Sequence, residues 1–290
     1  MLVLGVYREE IFSPGRVEDD KQIMDATLSE MRSRGHATLT IKAEAFERPL
    51  PDVRCVLTMA QSRRALSVLE EWSKDGAQII NAPSAVHACR RTTLIQALDT
   101  AGLPLPPGEI VSLETGNASR SLSLPPFRHY WLKRGDVHRV LPGDVVKVTS
   151  DPELAQALDH FRSHRIPKII VQDHLEGEVI KFYGIRGGYF AGFGESGDGA
   201  GRFSELRSIA KRAAEAVGLE VYGGDAVITP DGRTVLIDLN AWPSFSRCYH
   251  NAARGIAGYV ADVIAGALPP VKCRKPSEEQ SSSIPRPRNG

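Results

Sequence analysis

Between Val221 and Phe245 lie two β-rich runs, Ala226–Thr229 and Thr234–Leu239, joined by Pro230-Asp231-Gly232-Arg233. Proline, aspartate and glycine supply turn chemistry, so the segment reads as a β-hairpin. Each strand carries an acid, and loop length decides where the two stand. With a four-residue loop, Asp225 faces Asp238 across the ladder at about 5 Å, where like charges repel. Asn240, two residues on, shares the face of Asp238. Two carboxylates and an amide carbonyl on one face suit Mg²⁺ shared with phosphate oxygens, and the cation removes the repulsion. A three-residue loop with Gly232 in a bulge would instead set Ile237 opposite Asp225 and turn Asp238 to the other face. The plain alternative is a solvated hairpin with scattered acids.

Such a hairpin needs a body to pack on. With 290 residues, 42% hydrophobic and 24% charged, the chain suffices for two or three small domains sharing a core. The net charge of +1 gives no global attraction to nucleic acid or membrane. Cys55, Cys89, Cys248 and Cys273 are far apart and show no metal spacing, so free thiols in a reducing compartment are expected. The apolar start Met1–Tyr7 is strand-length and lacks a basic leader, so it does not read as a signal peptide. No run approaches the ~20 apolar residues of a membrane span. A cytoplasmic protein is the expectation.

Residues 1–82 alternate strand and helix: strands at Leu2–Tyr7, Ala37–Ile41, Val53–Met59 and Ala77–Ile80, helices at Asp19–Arg34 and Ser62–Lys74. That alternation predicts a small sheet covered by helices. Gly5 stands alone after the first strand, without the glycine fingerprint of a dinucleotide site. One helix capped by Ser84 is expected to run to about Thr100. A loop-rich stretch at 112–127 precedes strands at His129–Lys133, Asp144–Val148 and Lys168–Gln172, with a helix at Asp151–Ser163 started by Ser150 or Asp151. Strands Glu178–Ile185 and Tyr189–Phe193 follow, then a helix at Phe203–Val217, the hairpin, and a helix at His250–Ala267. The Lys-, Arg-, Pro- and Ser-rich stretch 269–290 reads as a disordered tail.

Three features join the acidic hairpin. Trp131-Leu132-Lys133-Arg134-Gly135 ends an apolar strand in a lysine and a glycine loop, which places an ammonium and loop N–H groups to meet phosphate. The run Ile169–Glu178 carries an apolar strand into a short polar linker, whose unpaired backbone groups can read an adenine edge. Lys181 sits inside the apolar strand Val179–Ile185 and needs a partner or a cleft for its head. Taken singly, each is as compatible with a surface lysine or a plain strand–turn–strand.

In this order the features resemble the ATP-grasp superfamily, over roughly residues 84–265, including the Ala-Gly-Leu-Pro-Leu-Pro link at 101–106. The most specific piece is Val235–Phe245, which resembles the metal-binding Asp/Glu-x-Asn strand followed by a Pro-containing turn. The resemblance implies an ATP-grasp fold, α/β and α+β in class. An N-terminal α/β domain (1–83) would precede two α+β subdomains clasping ATP, one with a flap loop (84–175) and one with a metal site (176–268). It implies phosphate contacts from Arg90, Lys133 and Lys181, a flap at Arg134–Gly143, adenine contacts from Val171, Gln172, His174 and Leu175, and Glu178 near the ribose. Asp225, Asp238 and Asn240 would hold Mg²⁺, with Mn²⁺ as a substitute. The early ATP-contacting lysine of the family is here an arginine, Arg90 or Arg91.

Most members are carboxylate–amine ligases working through an acyl phosphate, and that base rate makes a ligase the leading expectation. Around Lys181 and Asp238 the strands also resemble the inositol polyphosphate kinases of the superfamily, which would phosphorylate a hydroxyl. A non-catalytic ATP-binding regulator is disfavoured by the full ligand set. Lys133, Lys181 and Arg247 are the catalytic candidates. His138, Arg139, Arg186, Arg202, Ser244, Ser246, Arg247 and His250 would line the acceptor pocket, and guanidinium groups there predict a small anionic substrate.

Overall fold

The structure, a computed structural model, describes residues 1–46, 53–114, 129–136, 141–197 and 201–268. Three four-stranded sheets organise them. The first holds β1 (Leu2–Tyr7), β2 (Ala37–Lys42), β3 (Val53–Thr58) and β4 (Gln78–Ile80), all parallel, in the order β2-β1-β3-β4. Helix α1 (Val17–Ser33) buries Ile23, Met24, Leu28 and Met31. Helix α2 (Arg63–Lys74) buries Ala65, Leu66, Leu69 and Trp72, and its cap Ser62 accepts from the Ala65 N–H at 3.2 Å. Gly5 is explained by packing: a Cβ there would meet Leu28 Cδ1 at 2.6 Å.

The single helix expected from Ser84 to Thr100 is two, α3 (Pro83–Ala88) and α4 (Arg91–Thr100). Pro83 occupies the first turn of α3, and Ala82, not Ser84, is its cap residue. Arg90 is extended, at φ −61° and ψ 130°, and breaks the helix. The break lets the Thr92 N–H donate to Gly135 O at 3.1 Å, on the next sheet.

That second sheet runs β5-β8-β6-β7 and is antiparallel throughout. Its strands are β5 (Gly108–Ser112), β6 (Tyr130–Arg134), β7 (Val145–Val148) and β8 (Lys168–Asp173). The sequence pattern did not mark β5. Helix α5 (Asp151–Ser163) covers one face, where Tyr130, Leu132, Ile169 and Val171 meet Ala157, Leu158 and Phe161 in a core of their own. Neither Ser150 nor Asp151 caps α5 through its side chain; the Glu153 carboxylate instead accepts from Thr149 N at 2.7 Å.

The third sheet, β10-β9-β11-β12, is also antiparallel. It comprises β9 (Glu178–Ile185), β10 (Phe190–Phe193), β11 (Val221–Ile228) and β12 (Thr234–Ala241). Helix α6 (Ser204–Val217) ends at the left-handed Gly218, φ 77°. Helix α7 (Tyr249–Ile264) packs on α1. The first and third sheets share both apolar cores: Leu4, Val6 and Val56 with Ile180, Phe182 and α6 in one, Val3, Leu57 and α1 with Tyr183, Trp242 and α7 in the other. Asn81, fully buried, joins them: its Oδ1 accepts from Glu220 N at 2.7 Å and Val221 N at 2.9 Å, and its Nδ2 donates to Val221 O at 2.7 Å.

The second sheet thus hangs on a body made of the other two. Two segments connect it, 104–107 and 174–177, and they run side by side, with Asp173 N donating to Pro107 O at 2.8 Å. No helix among the described residues is long and apolar enough to cross a membrane.

Candidate active site between the second and third sheets

The hairpin β11–β12 combines both registers that its sequence allows. The Thr229 N–H donates to Arg233 O at 2.9 Å, and Gly232 has φ 84°, so the loop is the three-residue Pro230-Asp231-Gly232. Near the loop Ala226 pairs with Leu236, a register that would put Ile237 opposite Asp225. A bulge then intervenes, and Asp225 pairs with Asp238. Asn240 pairs with Gly223, two places along, so it shares that face.

Lys181 lies directly across β9 from Asp225 and bonds it, Nζ to Oδ1, at 2.9 Å. Burial pushes the Asp225 carboxyl above the usual carboxylate range; Lys181 opposes this and Asp238 adds to it. Asp238 Oδ1 accepts from Leu239 N at 3.0 Å, and the Asn240 amide stands 3.4 Å from Oδ2. Two half-buried carboxylates in register with an amide carry the hard oxygen donors that would suit Mg²⁺.

The second sheet supplies the facing wall. Side chains alternate on β6, so Trp131 and Lys133 face the third sheet while Tyr130 and Leu132 face α5. Lys133 Nζ donates to Ile237 O at 3.2 Å. Burial pushes its pKa down to about 8, with Asp238 opposing and Arg91 adding. Arg91 is 6% exposed and donates to Arg134 O at 3.3 Å. Its guanidinium pKa is lowered by burial, with Asp238 the first opposing charge. Arg91, Lys133, Gln172, Ile237 and Asp238, together with the apolar Leu94, Ile95, Leu98, Leu105 and Leu236, line a narrow cavity of about 20 Å³.

The loop leaving β6 is clasped at its base. Arg134 binds Asp136 through Nε at 2.8 Å and Nη2 at 2.9 Å, and reaches buried Asp144 at 3.2 Å. Asp144 Oδ2 also accepts from Leu141 N at 2.7 Å. A Cβ on Gly135 would stand 2.7 Å from Thr92 Cγ2 and 2.8 Å from Lys168 O, so only glycine fits there.

Several expectations need correction. Arg91, not Arg90, enters the cleft; Arg90 lies near Arg63 and Asp136. Val171 is on the α5 face of β8, where alternation puts it among apolar neighbours rather than against adenine. Glu178 accepts the Ser196 N–H at 2.9 Å and pairs with Arg202. Arg186 lies with Glu220 and Tyr259. Leu175 lines a separate cavity of about 360 Å³ with Pro104, Leu105, Pro107, Thr234 and Val235.

His174 accepts the indole N–H of Trp131 on Nδ1 at 3.0 Å. Ser244 is 9% exposed, Ser246 lies beside the Tyr183 hydroxyl, and Arg247 stands 5.8 Å above the Phe193 ring. His250 is exposed and stacks on Tyr249. His138, Arg139, Cys273, most of 112–127 and the tail 269–290 lie outside the described residues. Trp131 escaped the sequence reading, although its place two residues before Lys133 puts it on the same face.

Solved structures superpose on nearly the whole chain. A RimK-domain ATP-grasp protein from Sphaerobacter thermophilus matches with a TM-score of 0.64 at 17% identity, covering 90% of this chain and 100% of its own. The D-alanyl-alanine synthetase A of Vibrio cholerae matches at 0.69 and 10% identity, covering 92% and 98%.

The chain has the ATP-grasp fold.

A D-Ala:D-Ser ligase from Enterococcus faecalis shares that fold, with a TM-score of 0.68 at 14% identity, covering 92% of this chain and 99% of its own. No family model matches the sequence, and no curated protein does. In the ATP-grasp frame the acidic hairpin and Lys133 face one another across the cleft between the second and third sheets.

Proposed function

We propose that this chain is an ATP-dependent carboxylate–amine ligase that acts through an acyl phosphate on a small anionic substrate. One observation carries the reading: Lys133 and Arg91 on one wall, and Lys181, Asp225 and Asp238 on the other, converge on one cleft. Charge of both signs is what a cation-bridged triphosphate needs on its two sides. The described cleft residues include no serine or cysteine paired with a base, and an acyl phosphate needs none. The ligase and synthetase names of several structural neighbours agree with this reading.

A substrate carboxylate oxygen attacks the γ-phosphorus and ADP departs. An amine then attacks the acyl carbon, inorganic phosphate leaves, and the amine loses a proton. Lys133 and Arg91 would offset charge on the phosphates, and Gln172 and the connection at 174–175 would border the base. Asp225, Asp238 and Asn240 would hold Mg²⁺, which supplies Lewis-acid neutralisation of the phosphoryl oxygens.

Lys181 favours a second reading. It sits on the cleft face beside Asp225, where it could serve a hydroxyl acceptor, as in a kinase of this fold. Incubation with ATP, Mg²⁺ and a panel of small acids with amines separates the two. Inorganic phosphate with an amide product supports the ligase; phosphate retained on an acceptor hydroxyl supports the kinase. Absence of any nucleotide-induced rise in melting temperature would refute both.

A further inference from the structure

Away from the cleft's charged wall, at the connection between the second and third sheets, three metal-competent side chains meet. The donor atoms of His129, His174 and Glu176 all lie within 4.8 Å of one another. Their placement follows from the ladder. The His174 N–H donates to His129 O at 2.8 Å, which extends the β6–β8 pairing by one step and sets the two imidazoles side by side. Their ring centroids are 6.0 Å apart. Glu176 lies two residues beyond His174, and its Oε1 is 3.3 Å from His174 Nε2.

We propose that His129, His174 and Glu176 form a site for a zinc-class divalent ion, and that its occupancy competes with Trp131 for the His174 ring. The site goes beyond the ligase reading and does not depend on it.

The donor set decides the class of ion. Two imidazoles and one carboxylate suit zinc or cobalt and poorly suit magnesium, which prefers oxygen. Donors about 2.1 Å from a tetrahedral ion stand about 3.4 Å apart, close to the 3.3 Å between His174 Nε2 and Glu176 Oε1. Three protein ligands leave the fourth position to water.

The competition follows from the ring's proton count. Neutral imidazole has one donor and one acceptor nitrogen. With Nδ1 accepting the indole N–H of Trp131, the proton sits on Nε2 and is directed at Glu176. An ion can bind Nε2 only once the proton there has left, and in the neutral ring that proton moves to Nδ1, where it meets the indole hydrogen. One arrangement excludes the other, so an ion at this site releases an indole that faces the cleft.

Emission can report that release. Trp72 and Trp242 are 4% and 0% exposed, whereas Trp131 is half-buried on the cleft face. The test uses the full chain, stripped of metal and free of nucleotide. Co²⁺ followed by visible absorption should saturate at one ion per chain. His129→Ala and Glu176→Gln should each weaken binding by about 10-fold or more while circular dichroism stays unchanged. Zn²⁺ should change the tryptophan emission of the wild-type chain but not that of Trp131→Phe. Absence of stoichiometric binding overturns the site, and so does binding that is unaffected by His129→Ala. Binding without an emission change overturns the competition. Because no nucleotide is present, either failure leaves the ligase reading untouched.

Discussion

The Lys133 ammonium donates to the carbonyl of Ile237, the residue that the β12 bulge leaves without a partner on β11. One irregularity therefore does two things. It returns Asp238 to the face of Asp225, and it offers a carbonyl to the cation on the opposite wall.

Lys133 ties this contact to pH. Its pKa falls from 10.5 to about 8 in the fold, so the folded chain pays a penalty to carry the charge. The penalty is fully present below pH 8 and fades as pH rises toward 10.5. Relative to Lys133→Met, the wild type should therefore gain stability over that window, by about 3 kcal/mol. Urea melts of both proteins at the two ends of the window check it. A constant difference would show that the ammonium is not buried.

Asp238→Asn should separate folding from turnover. It removes a charge that raises the Asp225 pKa, but also the chief charge that offsets the burial of Lys133 and Arg91, so the apo protein should still fold but melt lower than wild type. Turnover should vanish. Mg-ATP at about 100 times its Kd should stabilise the wild type by about 2.7 kcal/mol and the variant by far less. Calorimetric melts with and without nucleotide give the comparison.

Arg91→Ala and Arg90→Ala should differ. The first removes a buried guanidinium from the cleft, and a charge-assisted contact of about 2 kcal/mol corresponds to a rise of about 30-fold in KM for ATP. The second should leave KM within about 2-fold of wild type, the scale on which surface changes act. Steady-state kinetics on both variants would reverse the assignment if Arg90 proved the costlier loss.

Gly135→Ala should strain the point where α4, β6 and β8 meet. The added methyl would press on Thr92 and on the Lys168 carbonyl, at a cost of about 1–3 kcal/mol. Chemical denaturation measures the loss; a neutral result would mean that the Thr92 N–H to Gly135 O contact is readily given up.

Asn81→Ala should cost about 3 kcal/mol, because it leaves Glu220 N, Val221 N and Val221 O buried without that partner. Equilibrium unfolding is the measurement.

The fold was legible where periodicity is strong. The alternating strands and helices before residue 82, and the strand around Lys181, stand where the pattern puts them. So does the pairing of Asp225 with Asp238, although neither simple loop length produces it alone. What could not be read was tertiary. Nothing local distinguishes Arg91 from Arg90; only the extended backbone at Arg90 decides which one turns inward. Motif order alone puts Val171 beside the base, and the pleat turns its side chain to the α5 face. Glu178 and Arg202 look available in one dimension and neutralise each other in three.

The paired crossings at 104–107 and 174–177 have a mechanical consequence. A leaf hung on two adjacent pins turns about one line, with few backbone angles changing. Its own apolar filling travels with it intact, while the Thr92 latch at the far edge must let go. The swing that admits a nucleotide would thus be resisted by a handful of polar contacts rather than by a core that has to be torn open.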